Sequence, residues 1–175
     1  MPIYLGDGQN EPLSNFLHFD WHPRHSLLDH FFDEHVNLID FAFSHYRELG
    51  DFVNQPYGLK VEQNEKNVTA TFSREGALWE DGRPYPICLK KAIEFEHNCL
   101  DIHYEISNCG DEAKALWFGV EFNLAFPAAN NQQTFFSRNF QLPKPERHVM
   151  APHNSLDFIG LYDHVRNLEI ALELT

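Results

Sequence analysis

The sequence predicts an all-β protein, mostly an antiparallel β-sandwich, with a short helix near the N-terminus. After Gly50, apolar and polar residues alternate with a period of two, which is typical of strands with one buried face. Phe, Tyr and Trp make up 14% of the 175 residues, and these side chains favour strands. Turn-forming residues, such as those at 108–111, separate the alternating segments. Strands that follow one another in this way indicate an antiparallel sandwich or barrel.

Each alternating segment predicts one strand. The clearest alternation occurs in residues 66–72, 87–97, 100–106 and 116–126. His97 and Asn98 stand where a tight turn would join the second of these to the third, which predicts a β-hairpin. Residues 167–175 alternate in the same way and stop without a turn, so we expect the chain to be cut from a longer protein. A natural edge strand at the C-terminus is the alternative.

The N-terminal part differs from the rest. Residues 1–20 are rich in Gly, Asn, Asp and Pro and predict an irregular lead-in, which leaves residues 21–175 as a single domain. A helical spacing of apolar residues follows Ser26, a possible N-cap, and predicts a short helix. The apolar side of this helix would consist of Leu27, Leu28, Phe31 and Phe32.

The charge excludes several classes of partner. The formal net charge is −13, which disfavours nucleic acids and anionic membranes because both bind through Lys and Arg. No segment approaches the roughly 20 apolar residues that span a bilayer. Neutral polysaccharides are compatible with this charge.

The N-terminus and the cysteines predict the compartment. The first residues have no basic start and no apolar run of signal-peptide length. The sequence has an odd number of cysteines, and their spacing matches no metal site. They are Cys88, Cys99 and Cys109. We therefore expect a cytoplasmic protein with reduced thiols, a disulfide being the alternative.

Polar side chains on the outer faces of the strands indicate a binding surface. If these strands are neighbours, carboxylates, an amide and an indole would converge and could bind sugar hydroxyls and stack on a sugar ring. A solvated outer sheet face is the alternative. The candidate carbohydrate-binding residues on these strands are Asp101, His103, Trp117, Glu121 and Asn123. Trp21 and His22 are further candidates, from the segment before the predicted helix.

The histidine-rich stretch at residues 21–46 raises the question of a metal. Possible ligand combinations are His22 with His25, and His30 with His35 and either Asp29 or Glu34. These spacings match no standard site, so the prediction is surface histidines, no metal and no cofactor.

Two further residues in this stretch are expected to be structural. Arg24 and Asp29 fit a buried Arg–carboxylate pair that anchors the segment to the sheet. No catalytic residue is assigned, since among 26 Asp and Glu residues some pair will meet the spacing of glycosidase carboxyl groups by chance.

Three segments resemble the C-terminal β-sandwich region of family-57 glycoside hydrolases, the α-amylase and 4-α-glucanotransferase group. They are RHSLLDHFF at 24–32, ELGDFV at 48–53 with Pro56-Tyr57 after it, and LWFGVEFNL at 116–124. The resemblance implies a sandwich related to galactose mutarotases. It also implies that a catalytic (β/α) barrel elsewhere in the parent chain carries the hydrolytic chemistry.

We therefore expect an accessory, non-catalytic domain that packs on this barrel and binds an α-glucan or maltooligosaccharide. One alternative is a stand-alone aldose epimerase of the mutarotase kind, with His103 and Glu121 as general acid and base. Another is a purely structural module that forms homodimers through the edge strand at 168–174.

Overall fold

The computed structural model describes residues 20–37, 40–41, 43–124, 133–136 and 158–175, with only the backbone for 133–136. All strand pairings in this part are antiparallel, which confirms the predicted all-β fold class. The strands are β1 (Leu28–Phe32), β2 (Gly58–Gln63), β3 (Val68–Glu80), β4 (Arg83–Glu96), β5 (Cys99–Asn108), β6 (Trp117–Glu121), β7 (Gln133–Phe136), β8 (Phe158–Asp163) and β9 (Leu168–Glu173). No helix in the described part is long and apolar enough to cross a membrane.

The largest sheet contains β2, β3, β4 and β5 in sequence order. Asp81 and Gly82, both with positive φ (50° and 79°), turn β3 into β4, as two-residue hairpin loops require. His97, with a φ of 57°, turns β4 into β5 and confirms the hairpin predicted there. A second sheet consists of β7, β8 and β9, with β9 at its edge.

The strands β1 and β6 form a separate two-stranded sheet. Residues opposite each other in a register share a face. One face of β1 therefore carries Asp29 and Phe31, with Phe118 of β6 opposite Phe31. Phe31 is completely buried in the central apolar cluster, which consists of Phe31, Phe52, Leu78, Ile87 and Leu89. Since Leu78, Ile87 and Leu89 come from β3 and β4, the two sheets pack face to face, as in a sandwich.

The short helix predicted through Leu27, Leu28, Phe31 and Phe32 is wrong, because residues 28–32 form β1. All five residues of this strand are buried. A strand that is covered on both faces need not alternate, so its apolar residues fell by chance at helical spacing.

Residues 48–51, which we call the linking segment, connect the two facing sheets. Glu48 bridges to Phe32 of β1, and Gly50 bridges to Leu78 of β3. A Cβ at Gly50 would lie 2.8 Å from Phe31 Cδ2. Only glycine lets the linking segment approach the core this closely.

The cysteines also differ from expectation. Cys88 and Cys109 form a disulfide, and Cys99 is free and exposed. The expectation of three reduced thiols is therefore wrong for this pair. Cys88 lies on β4, and Cys109 directly follows β5, the strand that pairs with β4, so their Cα atoms are 6.2 Å apart. Cysteine spacing alone does not reveal which strands pair.

A buried ion pair crosses the space between the facing sheets. Lys91 Nζ, on β4, donates to Asp29 Oδ2 and to the carbonyl oxygen of Leu27, each at 2.8 Å. The Tyr57 hydroxyl donates to the same Asp29 oxygen at 2.6 Å. Burial, together with the hydrogen bond to Asp29, raises the pKa of Tyr57 above its usual range and keeps this donor protonated.

The predicted pair of Arg24 with a buried carboxylate is wrong. Arg24 has a 62% exposed side chain and pairs with Asp20, four residues before it. Asp29 lies on the inward face of β1, which faces the large sheet. Its positively charged partner is therefore Lys91 of that sheet.

Replacing Lys91 with Met should destabilise the fold strongly, because it leaves the Asp29 carboxylate buried without its cation. Breaking one side of a buried pair costs about 3–5 kcal/mol. Lys60→Met is the matched control, since the Lys60–Glu62 pair is exposed and should cost less than about 1 kcal/mol. Urea unfolding measures both. Equal effects of the two changes would show that the Lys91 pair does not hold the sheets together.

Candidate functional site

His30 lies at the centre of a polar cluster on the outer face of the β1–β6 sheet. Its Nδ1 is 2.8 Å from Glu48 Oε2, and its Nε2 is 3.0 Å from Glu121 Oε2. Both ring nitrogens can donate only when the imidazole is protonated. Burial lowers the pKa of His30, but the hydrogen bonds and charges of the two carboxylates outweigh it and hold this pKa above its usual value. The cluster therefore stabilises a buried positive charge.

Both carboxylates are themselves held in place. Glu48 Oε1 accepts from the backbone N–H groups of Phe31 at 2.7 Å and Gly50 at 3.2 Å. Glu121 Oε1 accepts from Asn123 Nδ2 at 2.5 Å. The same Asn123 amide donates to the carbonyl oxygen of His25 at 2.9 Å. The cluster thus joins β1, the linking segment, β6 and the segment before β1.

His22 and Trp21 lie beside this cluster. His22 is buried, and its Nε2 is 3.7 Å from Glu121 Oε2. The Trp21 ring meets the His22 ring edge-on at 4.8 Å, and its indole N–H donates to the Tyr46 hydroxyl at 3.3 Å. Burial raises the pKa of Tyr46 to about 12, so this hydroxyl stays neutral near pH 7.

A cavity of about 300 Å³, which we call the Trp117 pocket, adjoins the cluster. Its lining includes His30, Phe32, Asn37, Phe41, Trp117 and Glu121. Trp117 and Glu121 are four residues apart on β6 and share its outer face. Trp117 is 56% exposed. The pocket therefore offers an aromatic surface beside a fixed carboxylate.

The structure divides the predicted surface into two. The strand β6 pairs with β1 rather than with β4 or β5. Asp101 and His103 consequently lie exposed on β5, in the other sheet. The prediction of one shared wall is wrong, because the sequence does not indicate which strands are neighbours.

The other candidates come together around Glu121. Its carboxylate contacts Asn123 and His22, and it shares the pocket with Trp117. Trp21 joins through its contact with His22. Carbohydrate binding by these five residues stays a prediction.

Sequence reasoning missed Glu48 and the role of His30. The sequence suggests His30 only as a metal ligand together with His35, but the side chain of His35 is 85% exposed. The sequence does indicate that His30 needs a partner. Asp29 and His30 interrupt an otherwise apolar run, and buried polar groups need hydrogen-bond partners. The partner of His30 could not be identified, since Glu48 and Glu121 are 18 and 91 residues away.

Comparison with known proteins identifies the family. The family model described as alpha-amylase/4-alpha-glucanotransferase, C-terminal, matches residues 6–175. This chain belongs to that family. The resemblance to family-57 glycoside hydrolases is thereby confirmed.

Individual relatives agree with this assignment. A 4-alpha-glucanotransferase of Thermococcus litoralis is 32% identical over 142 residues, which are 81% of this chain and 20% of that protein. An alpha-amylase of Pyrococcus horikoshii is 31% identical over 117 residues, which are 66% of this chain and 16% of that protein. The crystal structure of the T. litoralis enzyme superposes with a TM-score of 0.59 and 30% identity, over 75% of this chain and 20% of that one. The chain thus spans about one fifth of the length of these relatives.

The three segments that carry the family resemblance also build the site. His30 lies in residues 24–32, Glu48 in residues 48–53, and Glu121 in residues 116–124. In this member of the family, the three segments meet at a single buried imidazole.

Changing Glu48 to Gln should weaken the fold, because the amide removes one charge and presents a donor to His30 Nδ1. Hydrogen bonds to charged groups contribute about 1.5–3 kcal/mol, and we expect a loss of that size in the free energy of unfolding. Glu62→Gln serves as the control, since Glu62 is exposed on β2 and its change should stay within about 0.5 kcal/mol. A Glu48→Gln chain as stable as the control would contradict a central role for this contact.

Proposed function

We propose that this domain is an accessory, non-catalytic part of an α-amylase or 4-α-glucanotransferase-type glycoside hydrolase and binds α-glucan at the Trp117 pocket. The observation that carries the proposal is the presence of an exposed indole and a fixed carboxylate in one cavity of about 300 Å³. The family assignment supports a carbohydrate ligand.

The chemistry of the pocket suits a sugar. The apolar face of a pyranose ring can stack on Trp117, while its hydroxyl groups can donate to Glu121. Asn123 fixes the Glu121 carboxylate before any ligand arrives, so that little side-chain entropy is lost on binding. The cavity is at the lower end of the usual range for small-molecule sites, about 300–1,000 Å³, which favours a short stretch or an end of a glucan.

The arrangement of the carboxylates supports a non-catalytic role. A glycosidase places its acid and its second carboxylate on either side of the scissile bond. Here the imidazole of His30 fills the space between Glu48 and Glu121. A glycosidic bond cannot enter there, and the catalytic barrel of a longer parent chain is the proposed source of the chemistry.

No specific observation favours the aldose epimerase or the structural dimer over the proposed function. The epimerase alternative requires His103 and Glu121 on opposite sides of one sugar, but they lie in different sheets. Pairing of two copies through β9 stays a prediction, consistent with the exposed Leu168 at this edge.

Maltooligosaccharide titration should change the tryptophan fluorescence of the chain, and Trp117→Ala should abolish that change. The exposed position of Trp117 lets the fold tolerate this substitution. Trp79→Phe is the control, because Trp79 lies on β3 of the other sheet and its loss should leave the titration intact. A flat titration of the unaltered chain, or a response that survives Trp117→Ala, would overturn glucan binding at this pocket.

A further inference from the structure

Two histidines and one carboxylate converge beside the Trp117 pocket, and two of these groups, His30 and Glu121, line it. One ligand atom each of His22, His30 and Glu121 lies within 4.8 Å of the others. Glu121 Oε2 is 3.0 Å from His30 Nε2 and 3.7 Å from His22 Nε2. The two histidine side chains are only 3% and 1% exposed. Buried imidazoles that face one carboxylate oxygen in this way form a built site rather than a solvated surface.

The far side of each of these groups has its own partner. His30 Nδ1 lies 2.8 Å from Glu48 Oε2, and His22 Nδ1 lies 3.3 Å from the carbonyl oxygen of Pro23. The second oxygen of Glu121 accepts from Asn123 Nδ2. Metal-binding histidines almost always donate their other N–H to a carboxylate or a backbone carbonyl, which leaves the free nitrogen aimed at the ion.

We propose that His22 Nε2, His30 Nε2 and Glu121 Oε2 bind a divalent transition-metal ion, with Zn²⁺ as the ion that this donor set suits best. Zn²⁺ binds imidazole nitrogen and carboxylate oxygen at about 2.0–2.2 Å, so the His22 ring would move inward by about 1 Å. The metal displaces the proton from Nε2 of His30. A dication also balances the two carboxylates, Glu48 and Glu121, that meet here.

These three ligands would leave a fourth coordination position for a ligand from the pocket. His30 and Glu121 both line the Trp117 pocket, so water or a sugar hydroxyl can reach the ion from that side. The ion would join the segment before β1 to β1 and β6. The ligands are separated by 8 and 91 residues, which is why their spacing in the sequence did not indicate a metal.

Titration with Co²⁺ tests this site directly. The full 175-residue chain is first treated with a chelator, and Co²⁺ is then added while visible absorption is recorded. We expect one equivalent to bind with the intense visible bands of four-coordinate Co²⁺, and Zn²⁺ to displace it. His22→Ala should weaken binding about a hundredfold or more, whereas His103→Ala, which removes an exposed histidine of β5, should leave it unchanged.

A measurement of thermal stability distinguishes a loss of metal binding from a folding defect of the variant. Zn²⁺ should raise the midpoint of thermal unfolding of the unaltered chain and of His103→Ala, but not that of His22→Ala. If His22→Ala fails to fold, His22→Gln replaces it with a polar side chain of similar reach. Absence of the bands in the unaltered chain, or equal loss in His22 and His103 variants, would overturn the proposal. No sugar is present in these experiments. A negative result would therefore overturn the metal site without bearing on glucan binding at the Trp117 pocket.

Discussion

The buried contact of His30 with Glu48 and Glu121 is the constraint on which the rest of this structure depends. It brings together β1, the linking segment and β6, which are distant in sequence. These segments also supply Trp117 and Phe32 to the Trp117 pocket. Because each carboxylate has further hydrogen-bond donors of its own, the wall of the pocket is fixed before a ligand binds.

The two faces of β1 have different roles, one in the core and one in the candidate site. Its inward face places Phe31 in the apolar cluster and Asp29 against Lys91 of the opposite sheet. Its outward face presents His30 to the site. Both polar residues are buried and paired with an opposite charge, as burial of charge requires. This double burial explains why five consecutive residues of one short strand are inaccessible to solvent.

Alternation and turn residues predict most of the large sheet, because its strands have one solvated face and short loops. The same reasoning fails at β1, where both faces are covered and Leu27 to Phe32 mimic a helix. It also does not predict which strands pair with each other, because β6 follows β5 along the chain but pairs with β1. The residues around Glu121 could be predicted as polar members of alternating or family-like segments. Glu48 also lies in a family-like segment, but its pairing with His30 could not be predicted, because a contact between residues distant in sequence leaves no local pattern.

A crystal structure of this chain grown with a maltooligosaccharide tests the central claim most directly, namely that the His30 contact shapes a glucan pocket. The account predicts a sugar ring stacked on Trp117, with a hydroxyl group against Glu121 and with His30 still in contact with Glu48 and Glu121. Sugar bound on another surface, or a His30 ring turned away from both carboxylates, would contradict it.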